Sequence, residues 1–235
     1  AYDTIRASTG KTGAEFESLQ QSFKDIATRT PADLGVIADV MGQVQQRTGT
    51  TGEVMEGLTQ DILALSRVTG GDASASVAQV TRLMGDWGIS AEDASGALDT
   101  VLKASQATGV GTDQLMQTIV QFGAPLRQFN FSFEESAALL GKWEREGVNS
   151  ELVLGSLRIA MGNFAEAGVP LRQGLEQTIA SIQKLGPGAE STSLAMKTFG
   201  ARAGPDMVAA ILEGKFAIGD LVAQMEASTA TVQGT

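Results

Sequence analysis

The stretch from Asp86 to Met161 reads DWGISAEDASGALDTVLKASQATGVGTDQL over residues 86–115 and MQTIVQFGAPLRQFNFSFEESAALLGKWEREGVNSELVLGSLRIAM over residues 116–161. Along it and just beyond, an apolar pattern at helical spacing ends on Gly or Asn, adds one apolar residue, and restarts. It does so at five joints: Gly88-Ile89, Gly109-Val110, Asn130-Phe131, Gly147-Val148 and Gly168-Val169. Gly and Asn reach the left-handed conformation that commonly closes a helix with the least steric penalty. The apolar residue after them can fold back on the last turn, as in a Schellman motif.

Each joint is followed by a start signal. Ser90-Ala-Glu-Asp93 and Ser132-Phe-Glu-Glu135 are written like capping boxes, a hydroxyl with a carboxylate three positions on. Asn149 or Ser150, Thr112, and Pro170 at a first helical position supply the other entries. The joints are 21, 21, 17 and 21 residues apart, so one helix plus one tight turn recurs about every twenty residues, a length that suits stacked helical hairpins. The spacing is regular and the side chains are not, which predicts an irregular array and no named repeat class.

Outward from this core the punctuation continues. Residues 1–30 read as a polar helical arm broken near Gly10-Lys-Thr-Gly13, with a narrow stripe of Phe16, Leu19, Phe23 and Ile26 for packing at the edge of the main body or on a neighbour. Thr30-Pro31-Ala32-Asp33 offers a hydroxyl N-cap, Pro at N1 and a carboxylate at N3. Ile37, Val40, Met41 and Val44 follow on one face. Thr51 or Thr50 restarts the chain toward Val54, Leu58, Ile62, Leu65 and Val68, which stop at Gly70-Gly71. Val77, Val80, Met84 and Trp87 line the next helix. Pro125, inside the pattern Leu115, Ile119, Phe122 and Leu126, is expected to kink that helix or end it early.

A main array is thus expected over 31–186, and a smaller C-terminal helical subregion over 187–235, with its last nine uncharged residues fraying. No stretch alternates at period two with β-branched enrichment. The expected fold is all-α: ten to twelve short helices joined by tight Gly turns and stacked as helical hairpins.

Composition narrows the chemistry. The 235 residues are 43% hydrophobic, enough for a real core in one or two domains. Seventeen basic against 27 acidic residues leave −10, which argues against a general nucleic-acid binder; solubility is the plain reading of the excess. There is no His and no Cys, so thiol nucleophiles, imidazole bases, His or Cys zinc sites and disulfides are all removed. The longest run without a charge, Gln114 to Leu126, has 13 residues, short of the roughly 18 to 20 a membrane-spanning helix needs. A start at Ala1 without a signal segment reads as a piece of something longer.

Features that could carry chemistry have simpler readings. Gly109-Val-Gly111 begins like a dinucleotide fingerprint, but position 114 is Gln and no strand precedes it, so it reads as a turn. Gly200-Ala-Arg-Ala-Gly204 has the small-xxx-small spacing of close helix packing. Asp72, Glu92, Asp93, Glu134 and Glu135 all fall where helices begin and suit the helix dipole. Trp87 and Trp143 read as core, with partner contact as the alternative. The eight Met residues fit adaptable filler in an imperfectly repeating core. No catalytic, cofactor-binding or metal-binding residue is assigned, and no partner-binding surface is singled out.

Four stretches carry a family resemblance: TPADLGVIADVMGQVQQRTGTTGEVMEGL (30–58), MGDWGISAEDASGALDTVL (84–102), GAPLRQFNFSFEESAALLGKWEREGVNSELVLGSLRIAMGNF (123–164) and FGARAGPDMVAAILEG (199–214). Together, over about residues 12 to 225, the chain resembles the core region of tail tape measure proteins of long-tailed bacteriophages and prophages. The resemblance implies a structural, non-enzymatic virion component that sits in the tail tube or tip, or in the host cytoplasm during assembly. It further implies a part in tail assembly and length determination, expulsion before genome delivery, and protein partners: tail tube, tail-tip or baseplate proteins and assembly chaperones. No specific nucleic-acid binding and no cofactor are implied. An unbroken helix of this length would reach ~350 Å, so a chain folded every twenty residues does not do most of the measuring. A compact domain near one end of the tape, opening for passage, is the expectation, and the 28 Gly favour modest stability. The alternative is a helical-array scaffold that binds a protein partner and is unrelated to phage. A carboxylate enzyme would need two acids converging on one pocket.

Overall fold

The structure is a computed structural model and describes residues 1–234. Thirteen α-helices, and no strand among the described residues, make up the fold. They are α1 (Tyr2–Thr9), α2 (Gly13–Arg29), α3 (Leu34–Thr48), α4 (Gly52–Thr69), α5 (Ala73–Trp87), α6 (Ala94–Thr108), α7 (Thr112–Gln128), α8 (Phe133–Arg145), α9 (Ser150–Glu166), α10 (Leu171–Leu185), α11 (Ala189–Phe199), α12 (Gly204–Leu212) and α13 (Gly219–Ala227). The all-α expectation stands. The count exceeds ten to twelve because the polar arm is two helices, parted by Gly10 at φ 66°, and three short helices follow α10.

The five joints close as their residues require. At Gly88, Asn130, Gly147 and Gly168 φ lies between 57° and 66°. At each, the N–H of the following apolar residue donates to the carbonyl five positions back: Ile89 to Met84 (2.9 Å), Phe131 to Leu126 (3.1 Å), Val148 to Trp143 (2.8 Å) and Val169 to Phe164 (2.9 Å). With the accompanying bonds from the left-handed residue to the carbonyl three back, these are Schellman motifs. Gly109 differs: its N–H donates to Ser105 (2.8 Å), a simple left-handed cap, and Val110 is buried with its carbonyl accepting from the Ser105 hydroxyl (2.6 Å). Gly214 closes α12 the same way as the four, with Lys215 N–H on the Ala210 carbonyl (2.9 Å); the apolar-residue signature misses it because Lys follows the glycine.

Start signals hold with shifts of register. Ser132 and Glu135 form a reciprocal capping box at α8. Asn149, and not the buried Ser150, caps α9 by accepting from Leu152 N–H (3.0 Å). Four expectations are corrected. The α3 cap is Asp33, which accepts from Gly35 and Val36 N–H, and not Thr30: Pro31 holds Thr30 in extended backbone, so the helix waits three residues. Ser90 closes a turn with Asp93, its hydroxyl donating to the Asp93 carboxylate (2.8 Å) and accepting from the Asp93 N–H (3.2 Å), and α6 begins later, at Ala94. Pro125 does not end α7 early: the helix continues to Gln128. Pro170 occupies the N-cap position, one residue before its expected place.

The chain forms two compact units. Unit one holds residues 1–103, 111–117 and 229–235; unit two holds 104–110 and 118–228. The boundaries expected at 30 and 186 fall inside unit one and unit two respectively. In unit one, α1 packs on α3, α2 on α4 and α3, and α5 on α3 and α4, so the arm is part of this unit's core. Asp61 to Leu65 of α4 are buried without interruption, a helix enclosed on every side at its middle. In unit two, α8 plays the same part: Ser136 to Gly141 and Trp143 are all buried. Its small residues allow this, since a Cβ on Gly141 would come within 2.9 Å of Thr108. Within the segment expected to fray, Val232 is fully buried in unit one. Thr235 lies outside the described residues.

Asn130 is the one non-Gly residue at positive φ among those described. Asn130→Gly is expected to match or slightly exceed the parent in urea denaturation, whereas Asn130→Ala is expected to lose about 1 kcal/mol. Equal midpoints for the two variants would mean that this joint is not left-handed.

Candidate functional site

The residues singled out in the sequence fall mostly at helix ends. Gly109 is a cap and Gly111 precedes α7, where its carbonyl accepts from Leu115 N–H (2.9 Å), so this pair is a turn. Asp72 caps α5 by accepting from Ala75 N–H (2.8 Å). Asp93 meets Ser90, Glu135 belongs to the α8 capping box, and Glu92 and Glu134 are exposed. Gly204 is a close-approach glycine: a Cβ there would stand 2.8 Å from the Met196 backbone, which is how α11 and α12 come together. Both Trp are buried, and Trp143 donates from Nε1 to the Lys215 carbonyl (3.0 Å) with its ring edge-on to Phe216. Six of the eight Met are buried; Met161 is half-buried and Met196 exposed.

One charged cluster ties a joint to the helices around it. Arg172 of α10 grips both Glu135 oxygens, at 2.9 and 3.2 Å, and bonds Glu176 at 2.6 Å. Its guanidinium lies over the Phe131 ring at 4.1 Å. Phe131 is the apolar residue of the Asn130 joint and Glu135 the carboxylate of the next cap, so a single side chain fastens both to α10. Burial pushes the Glu135 carboxyl up, but hydrogen bonds from Arg172 and from the Ser132 backbone, with the Arg172 charge, outweigh it and hold the group below its ordinary range.

A second cluster was not legible in sequence. Asp61, 1% exposed in the middle of α4, accepts from the Ser95 hydroxyl of α6 and from the Gln233 amide (2.6 Å). One turn along α6, Asp99 accepts from the Val232 backbone N–H (2.8 Å). Burial raises the Asp61 carboxyl; the two hydrogen bonds lower it less, and Asp99 adds to the rise. No cation is among the groups that shift it. Asp61 interrupts no apolar stripe in the sequence, and its partners lie 34 and 172 positions away, so no local signal marks it.

Each unit also has an open cleft. In unit one it measures about 580 Å³ and runs past Arg29, Asp33, Val36, Leu63, Arg67 and Gln233. In unit two it measures about 550 Å³ along Leu152, Gly155 and Ile159 of α9 and the Phe199–Ala203 turn. Among the described residues no group of three or more acidic, His or Cys side chains is placed to hold a metal ion, and no helix is long and apolar enough to cross a membrane.

Helices enclosed by their neighbours, acids at helix starts, and one arginine clamp define a helical-array fold. The chain belongs to the phage-related minor tail protein family, whose profile matches residues 20–234. It is therefore a phage tail protein. Neither the curated proteins nor the solved structures contain a match to it.

The Arg172 clamp gives a pH-dependent expectation. The folded chain holds Glu135 charged more firmly than the unfolded chain does, so this stability is fully present above the ordinary value of 4.5 and is lost as pH falls through the lower folded value. Because both partners are about one-third exposed, Arg172→Ala is expected to cost only about 1 kcal/mol at pH 7. The difference from the parent should shrink in urea titrations taken toward pH 3. A difference that stays constant from pH 7 to pH 3 would remove Glu135 from the account.

Proposed function

We propose that this chain is a segment of a tail tape measure protein, acting in tail assembly and length determination and leaving the tube before the genome is delivered. The role is structural and non-enzymatic, and its partners are tail tube, tail-tip or baseplate proteins and, before assembly, chaperones. The observation that carries this reading is the family match over residues 20–234 on a chain whose stretches at 30–58, 84–102, 123–164 and 199–214 resemble the tape measure core.

The fold shapes the form this role takes. The longest helix, α4, has 18 residues and spans ~27 Å at 1.5 Å per residue. A chain turned back on itself after every such rod contributes little contour length. The segment is then a folded module of the tape rather than its ruler, in the tube lumen or at the tip.

Electron microscopy of tails from the encoding phage or prophage tests the reading. Removing residues 30–214 in frame is expected to abolish tails or to leave them aberrant in length. Tails normal in number and length after that deletion would overturn it.

A further inference from the structure

Residues 228–234, Ser-Thr-Ala-Thr-Val-Gln-Gly, carry no charge and form no helix, yet the segment is held at three points in unit one. Val232 is fully buried, its N–H donates to Asp99 (2.8 Å), and the Gln233 amide donates to Asp61 (2.6 Å). A turn closed by Gly234 N–H on the Thr231 hydroxyl (3.1 Å) sets the segment's shape. Thr229, Thr231, Gln233 and Gly234 are otherwise exposed. The anchors of the segment on unit one include one buried aliphatic side chain and two N–H donors.

The surface beneath it is built differently. Asp61 is enclosed by α4 and by Ser95 of α6, and two carboxylates, Asp61 and Asp99, face the segment. Ser95 and Asp99 are four apart on α6 and so share one face. With the segment in place, each carboxylate receives an N–H from it; with it gone, each would lose that donor. Helices α2 to α5 pack on one another through contacts of their own. A short uncharged cover over helices that pack on one another is an arrangement from which local opening is drawn. Gln233 also lines the unit-one cleft with Arg29, Asp33 and Arg67, so one wall of that cleft moves with the segment.

We propose that residues 229–234 are a releasable strap on unit one, closed by Val232 and by the two N–H donors given to Asp99 and Asp61, whose release uncovers the acidic notch and the Gln233 wall of the cleft. The inference concerns unit one alone and does not depend on the tape measure reading.

Hydrogen exchange read by mass spectrometry on the whole chain tests it, using Val232→Asp, which sets a third carboxylate against the other two, and the milder Gln233→Ala. Both variants are expected to speed exchange over 229–234, Val232→Asp on the order of tenfold, with a smaller rise around Asp61 and Asp99. Exchange in α2 and in α9 should be unchanged. Three results would each overturn the proposal: a parent strap that exchanges as fast as unprotected chain, variants that leave 229–234 unaffected, or loss of protection throughout α2 to α5. The last would make the segment a working part of the core and no strap.

Discussion

A backbone angle governs this architecture. At each principal joint one residue must sit near φ +60°, where a side chain with a Cβ is crowded by the carbonyl that follows it. Once it does, the N–H groups after it turn back onto the last carbonyls of the helix, and the chain leaves in a new direction with its polar backbone satisfied. Gly88, Gly147, Gly168 and Gly214 make this turn without steric penalty, and Asn130 makes it as the non-glycine residue best able to. Everything else follows from where these residues stand: rods of 8 to 18 residues, too short to be stable alone, that must bury their apolar stripes on one another.

Burial then selects a central rod in each unit. α4 and α8 are enclosed around their middles, which demands either small side chains or polar ones with partners close by. α8 uses the first solution, with Ser136, Ala137, Ala138 and Gly141. α4 uses the second, placing Asp61 against Ser95 and Gln233. The second is the costlier, since a carboxylate without a cation is hard to desolvate. It leaves unit one with a polar point that depends on a segment brought back from far along the chain. Unit two has its counterpart in Arg172, where a planar guanidinium serves an aromatic ring and two carboxylates at once.

What could be read in the sequence was what lies within a turn or two of itself. Gly88-Ile89 or Ser132 to Glu135 declares its geometry through neighbours three to five positions away, and those joints form as written. The stripes Phe16 to Ile26 and Ile37 to Val44 are buried for the same local reason. Reading failed where two local signals competed, as at Thr30 against Asp33. It could not reach features made by distant partners: the packing that encloses α4, the Asp61 cluster, or the burial of Val232. No site residue had been assigned, and the clusters now visible at Asp61 and Arg172 are tertiary in origin, which is why spacing along the chain was silent about them.

A phage tail protein built this way is a string of short rods whose turns are set by glycine, and the most direct test exchanges glycine for alanine at two kinds of position. Gly88, Gly147 and Gly168 have positive φ, whereas Gly57, Gly155 and Gly162 lie inside helices; a Cβ would meet nothing within 4 Å at any of the six. Only the backbone angle separates the two sets. In urea denaturation of the two triple variants, the joint set should lose about 1 to 2 kcal/mol per site, and the helix set should gain about 0.5 to 1 per site. Changes of the same sign in both sets would contradict the account.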